Sequence, residues 1–555
     1  MAQDLQQILG GKSLMVIVPH EDDEINLAGA SIYGAVEAGM RVICVFMTNG
    51  DWFYPGGVRM KEAVRSLRCL GVPEENIVFL GYPDGGVQGE RNVYVCGQSE
   101  PVRAGRHRET YGMASHPEFA WQAYGRHQPY LWNSLLQDME TVLLKYRADI
   151  LMAADLDWHP DHRLCSMAFE TALGRILNCP GNTYRPKVLK GFAYRTAYES
   201  ADDFNALNLR STVCCYGSGE TARGQGTDNP SLPWENRIRL PVPASCRSRL
   251  LRKNPLYRAM CCHASQRMFG RAEKIINGDQ VFWLRRTDSL SFVGRWTSSS
   301  GDTAGLHDFQ VLRPQDITAV SSEMTGRCWR PGPEKTPWCR CTFSAPRCVS
   351  HMVFHGNPEK SGRILAGEVR FSTGAVYPVG PMPWGGAPAV VSFPAQEVEW
   401  VEFRVLRTEG TQAGLAEWEI FEQPDSGLRI LQILCDDQFA CDWCADSRRP
   451  PVISAYRVGI DNALRWYWNG VPCRLTEIQQ RCAALRSPAV VRVEWEKEPR
   501  ISSEVQIRPR DWKADAACRW RTIQNRMTQW VERRREKPAH HRAKKLAQKK
   551  RRGNG

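Results

Sequence analysis

A chain of 555 residues with 42% hydrophobic and 24% charged residues is globular in composition and sized for about three or four domains, which excludes a single core. Its formal net charge of +13 is concentrated at one end. Residues 533–552 hold eleven Lys/Arg against one Glu, so the remainder is near +3 and forms no basic nucleic-acid platform. No run of about 18 uncharged apolar residues offers a membrane-spanning helix. Twenty cysteines in so long a chain, whose first ten residues lack the basic and apolar regions of a secretion signal, point to reduced thiols and a cytoplasmic setting.

From Leu14 to Ala154 short apolar runs alternate with helical stretches. Strands are expected at Leu14–Val18, Arg41–Met47, Ile77–Leu80 and Ile150–Ala153, and helices at Ala28–Ala38, Lys61–Leu70 and Leu131–Tyr146. That alternation predicts an α/β Rossmann-like domain, doubly wound on a mostly parallel sheet, over residues 1–295. Gly86–Pro129 is long, polar and aromatic, the character of a lid, with His116 and His127 inside it. A Gly/Pro/Ser-rich loop at 216–235, a helix around Arg258–Ala272 and a strand at Gln280–Leu284 complete the domain.

Residues 296–306 read as a linker. Short strands with turns then predict a β-sandwich over 307–425 and a small immunoglobulin-like β domain over 427–510. A helix is expected at 511–532 and a disordered basic tail at 533–555, where apolar content is too low for a core. Cys441-Asp-Trp-Cys444, near Cys435, has no second pair at zinc-ribbon spacing and reads as structural thiols.

Two segments carry chemistry. Pro19-His20-Glu21-Asp22-Asp23-Glu24 follows the first strand, and His159-Pro160-Asp161-His162 follows the strand at Ile150–Ala153. Both therefore lie at the carboxyl ends of strands, where open α/β sheets build their sites. One imidazole and one carboxylate do not complete a zinc site, and the second segment brings the missing donors.

In this order, and with Thr48-Asn49-Gly50-Asp51, Arg59, Glu62, Asp84-Gly85 and His263-Ala264-Ser265-Gln266, roughly residues 10–288 resemble the PIG-L/LmbE-type zinc-dependent N-acetylglucosaminyl de-N-acetylases. The resemblance implies His20, Asp23 and His162 as ligands of Zn²⁺, a donor set that Fe²⁺ or Co²⁺ also accepts. It implies Asp22 as the catalytic acid/base, His159 as a catalytic group that steadies the oxyanion when protonated, and Asp161 as the residue that holds an imidazole behind the metal. Arg59, Asp84, Asn49 and Asp51 are implied substrate residues, while His263 and Gln266 either line the site or brace the last helix. The chain departs from the family pattern at Glu21, where proline is usual, without losing a ligand. The 307–425 region is similar to discoidin-like, galactose-binding-like modules, through its Phe371-Ser-Thr-Gly374 turn and Gly414-Leu-Ala-Glu417 segment.

The implied reaction is removal of an N-acetyl group from an amino sugar in a glycan, glycolipid or sugar nucleotide, in bacterial surface polysaccharide or lipopolysaccharide biosynthesis. The alternatives are a non-catalytic glycan-binding scaffold and an amidase acting on a small thiol or natural-product precursor. The basic tail suits peripheral attachment to the anionic inner face of a membrane. A nucleic-acid partner rests on that tail alone and is disfavoured.

Overall fold

The computed structural model describes residues 3–85, 100–104, 107–194, 198–199, 205–214, 229–315, 324–440 and 442–552. Strands β1 (Ser13–Val18), β2 (Arg41–Thr48), β3 (Ile77–Tyr82), β4 (Ile150–Ala154) and β5 (Lys187–Gly191) form a parallel sheet in the order β3-β2-β1-β4-β5. Two antiparallel strands, Asp279–Arg285 and Ile238–Pro241, extend it beyond β5. Alternate residues of the central strands feed two cores. Leu14, Val16 and Val18 join Val42, Cys44 and Phe46 on one face, while Met15 and Ile17 join Ile43, Val45 and Met47 on the other. A parallel sheet covered on both faces needs apolar residues at nearly every position, which is why these strands read as unbroken apolar runs.

Helices α1 (Leu5–Leu9), α2 (Asp23–Glu37) and α3 (Gly56–Cys69) cover the first face, and the helices Trp132–Tyr146 and Pro160–Asn178 the second. The strand order reverses between β1 and β4, where such sheets open a ligand crevice. Parallel pairing of Ile17 with Ala153 sets the segments after these two strands, 19–24 and 155–162, side by side.

The expected strands are present, with ends shifted by at most two residues. The helix expected from Ala28 starts at Asp23, because Asp23 and Glu24 occupy a first helical turn that favours carboxylates. The region 258–272 is not one helix. It ends at Met260, turns through Arg267 at φ 52, and resumes as short helical turns over 268–275. Bonds from His263 to Glu24 and from Ser265 to Glu62 hold that turn open against helix continuation. Residues 86–99 and 105–106 of the expected lid, and 216–228 of the expected loop, lie outside the described residues, as does Cys441.

Arg295–Ser298, which runs into the expected 296–306 linker, is a strand paired with Cys339–Thr342, since Trp296 packs its ring on Trp418 of the following module. That module rolls one antiparallel sheet, built on the long strands Trp338–Gly356 and Pro388–Gly410, around Trp329, Phe354, Phe403 and Trp418. The next region pairs Ile430–Cys435 with Ile453–Val458. It also builds a five-stranded sheet that contains a parallel pair and carries the helix Leu475–Ala483. The helix and the parallel pair separate it from an immunoglobulin-like sandwich. Ile478 and Cys482, one helical turn apart, bury that helix, a signal too short to stand out among strands. The last element is one helix, Trp512–Arg552, where a helix ending at 532 and a disordered tail were expected; Lys, Arg, Gln and Ala are good helix formers and carry it on.

The modules are locked onto the first domain by buried polar bonds. Arg285 meets Glu417 at 2.6 Å and lies over Phe309, and Gln3 brackets the strand at Arg429 and Leu431. Glu417→Ala leaves the buried guanidinium without its main partner. It is expected to lower the unfolding free energy by about 3 kcal/mol, read as a drop in the urea midpoint; an unchanged midpoint would show that the pair does not fix the module.

Candidate active site

The chain leaves β1 through Pro19, whose carbonyl accepts hydrogen bonds from the Thr48 amide and hydroxyl at the end of β2. This fixes the backbone from which His20 projects. Asp22 then adopts φ 139, a costly conformation for a residue with a side chain, and Asp23 begins α2. Asp23 Oδ2 lies 3.1 Å from His20 Nδ1 and 3.2 Å from His162 Nε2. Behind the imidazoles stand two further carboxylates: Asp161 Oδ2 is 3.1 Å from His20 Nε2, and Asp157 Oδ2 is 2.7 Å from His162 Nδ1. All five side chains are buried.

His162 Nε2 is buried without a hydrogen-bond partner and faces Asp23. Ligand bonds of about 2.1 Å in a tetrahedral site place donor atoms roughly 3.4 Å apart, close to the two separations here. Imidazoles backed by carboxylates are also the usual outer arrangement of a metal site. His20, His159 and His162 can bring one nitrogen each within 4.8 Å of one another, and so can His20, Asp84 and Asp161 with one atom each. These histidine and carboxylate groups are of a kind that fits a divalent cation, and Asp23, outside both, bridges His20 and His162.

Asp22 is turned away from this group. Its Oδ1 accepts a 2.9 Å bond from Arg59 Nη2, and Oδ2 lies 3.3 Å from Arg271 Nη1. Arg59 also donates to the Glu21 carbonyl at 2.7 Å, so one guanidinium holds backbone and carboxylate together. Glu24 receives the Asp22 amide on one oxygen and His263 Nε2 on the other at 2.7 Å, which makes His263 a brace. Gln266 bonds only Ser265 among the described contacts.

Glu21, in the place where proline is usual, is fully buried. Neither carboxyl oxygen has a hydrogen-bond partner, and Arg59 Nε is 3.8 Å away. Burial pushes its carboxyl up to about 8 against the pull of Arg59. Gly50 passes over this pair at φ 55, and any Cβ there would strike Glu21 and Arg59. Its neighbours serve the loops: Asn49 donates to the carbonyls of Gly81 and Tyr111, and Asp51 accepts from the Tyr111 hydroxyl at 2.7 Å and from the Asp84 amide at 3.3 Å. Asp84 reaches inward, 3.8 Å from His20 Nε2 and 4.0 Å from Arg59 Nη1. The sequence-derived residue Asp84 thus meets the histidine cluster and Arg59 meets Asp22 and Asp84, whereas Asn49 bonds surrounding carbonyls and Asp51 the Tyr111 hydroxyl and the Asp84 amide.

His159 caps the helix Pro160–Asn178, its Nδ1 accepting from the Asp161 amide at 3.2 Å. Burial, with His162 and His20 adjacent, pushes this imidazole down to about 2, so it is neutral and carries its proton on Nε2. Tyr194 packs at a tilt on His162, ring centroids 4.3 Å apart, and stacks on Trp158 at 5.5 Å, and its amide donates to Asp157. Sequence reasoning missed Asp157, Tyr194 and Arg271. Asp157 had a readable signal, a carboxylate two residues before His159; the other two lie far along the chain with no local mark.

Residues 15–173 match the PIG-L family model, described as GlcNAc-PI de-N-acetylase, and residues 323–421 match a domain of unknown function, DUF7402. Residues 15–173 thus form a PIG-L domain. The N-acetylglucosaminyl-phosphatidylinositol de-N-acetylase of Bos taurus is 26% identical over 78 residues, which is 14% of this chain and 31% of that protein's length. Among solved structures, N,N'-diacetylchitobiose deacetylase from Pyrococcus horikoshii is similar at 20% identity and TM-score 0.23, covering 34% of this chain and 63% of that chain. A Streptococcus pneumoniae fucose binding module is similar at 13% identity and TM-score 0.19, covering 24% of this chain and 95% of that one.

Asp157→Asn keeps the shape behind His162 but removes the charge that orients its imidazole. It is expected to weaken retention of a divalent cation roughly tenfold to a hundredfold, measured by competition with a chromophoric chelator. Retention equal to the parent would mean that Asp157 does not position His162.

Proposed function

We propose that the chain hydrolyses the N-acetyl amide of an N-acetylglucosamine-type sugar. The observation that carries this reading is a carboxylate, Asp22, held beside a buried His20–Asp23–His162 donor set and bonded away from it by Arg59. A divalent cation held by His20, Asp23 and His162, zinc by the fit of its preferred ligands, would polarise the acetyl carbonyl and acidify water there.

Asp22 takes the proton of the attacking water and delivers it to the departing amine nitrogen. Arg59 and Arg271 keep its carboxylate oriented through that exchange, and the strained backbone at 22 keeps it apart from Asp23. His159, neutral and fixed by the Asp161 amide, presents Nε2–H to the carbonyl oxygen as negative charge grows there. Asp84 and Arg59 are placed to accept from and donate to sugar hydroxyls at the same opening. The activity for which the bovine relative is named supports an acetylated amino sugar as the substrate.

We extend the reading to the module over 295–421 as a glycan holder. Its outer face sets Arg340 over Trp400 at 4.2 Å and beside Trp338, with both rings part-exposed, a surface on which sugar rings pack. A surface glycan of bacterial type suits a hydrolase with such an attachment better than a small soluble amide.

The test is free-amine release from a panel of N-acetylglucosamine derivatives spanning monosaccharide, nucleotide-linked, lipid-linked and polymeric forms. Asp22→Asn is expected to lower turnover about 10²- to 10⁴-fold while retaining the cation. Equal turnover by the variant would remove Asp22 from the mechanism. Silence of the cation-loaded parent across the panel would favour a glycan-binding scaffold.

A further inference from the structure

The helix Trp512–Arg552 is amphipathic the wrong way round for a soluble protein. Its inward face is polar. Arg521 donates to the carbonyls of Asn205 and Ala206 at 3.1 and 2.7 Å, and Asn525, buried, donates to Asn205 Oδ1 and the Arg249 carbonyl while accepting from the Leu251 amide. Glu536 is buried on the same side.

The outward face is apolar. Trp520, Ile523, Met527 and Trp530 are each more than half exposed, and Trp512 and Val531 continue the row. Their spacing of three and four residues makes one continuous stripe. Beside it runs a second row, Arg519, Arg526 and Arg533, each exposed and seven residues from the next; Arg534 lies over the Trp530 ring at 3.9 Å. Between 512 and 538 the helix carries eight Lys/Arg against three Asp/Glu.

We propose that this outer face is a docking surface for an anionic lipid membrane, on which the helix lies parallel to the plane with Trp520, Ile523, Met527 and Trp530 in the headgroup region. An apolar stripe rich in tryptophan suits the boundary between headgroups and acyl chains, and a flanking row of arginines suits anionic headgroups. Among the described residues no helix is long and apolar enough to cross a membrane, so the attachment is peripheral. The polar inner face holds the helix to the protein through backbone carbonyls, so the stripe is presented without any part of the core being exposed. This inference stands apart from the hydrolytic reading.

The test is co-sedimentation of the full chain with vesicles of phosphatidylcholine alone, and of phosphatidylcholine containing about 30% phosphatidylserine. Two variants accompany it, Trp520→Gln/Ile523→Gln/Trp530→Gln and Arg519→Gln/Arg526→Gln/Arg533→Gln, with circular dichroism to confirm that each is folded. The parent is expected to pellet with the anionic vesicles, with a blue shift of tryptophan emission, and each variant to lose affinity roughly tenfold or more. Parent chain left in the supernatant, or an apolar-face variant that binds as the parent does, would overturn the proposal. So would a dimer of the parent, without vesicle binding, that the tryptophan substitutions dissociate, because the stripe would then be a contact between two copies.

Discussion

Around the ends of β1 and β4 the chain buries Asp22, Asp23, Asp84, Asp157 and Asp161, and answers them with two arginines and a group of imidazoles. Moving a carboxylate out of water costs several kcal/mol, even after relaxation, unless bonds and opposite charge compensate. The compensation here is uneven. Asp22 has Arg59 and Arg271, whereas among the described residues Asp23, Asp157 and Asp161 meet histidine ring nitrogens and scattered amides. The divalent cation proposed for His20, Asp23 and His162 would balance this second group, and most local details serve to keep the two groups apart. The positive φ at Asp22 sends adjacent carboxylates to different partners, and Gly50 lets Arg59 reach under the loop to Asp22.

The same requirement explains why the site rests on so much of the domain. His20 is placed by β1, Arg59 by α3, Asp157 and His162 by the segment after β4, and Arg271 by a turn more than two hundred residues from Asp22. Glu24 to His263 and Glu62 to Ser265 staple that turn to α2 and α3. A network drawn from so many elements keeps its geometry only if those elements are rigid, and the double core on the two faces of the sheet supplies the rigidity.

What could be read from the chain follows the range of the physical signal. The β-strands announced themselves because a sheet buried on both faces leaves no polar alternation, and the His20–Asp23 and His159–His162 segments because several donors fall within a few residues at strand ends. Arg271 and Tyr194 act through side chains that reach the site from other elements, so nothing near them in sequence betrays the contact. The break after Met260 was illegible for the same reason: it exists to satisfy Glu24 and Glu62. Asn49 and Asp51 stand in the right segment, yet their bonds go to Gly81, Tyr111 and Asp84, a distinction between lining a site and holding its walls that needs coordinates. Low apolar content suggested a disordered tail, whereas residues with high helix propensity continue a helix that is already nucleated and docked by Asn525 and Arg521.

That docked helix bears on the site as well as on the surface. It packs against residues 251–253 and 268–271, and Arg271 at the end of the second stretch is the half-exposed partner of Asp22. The helix is held by hydrogen bonds to backbone carbonyls rather than by apolar burial, so its position is specified by direction and distance, and it leaves its own apolar surface uncovered. One short segment of backbone, 268–271, therefore links the docked helix to the arginine that meets Asp22.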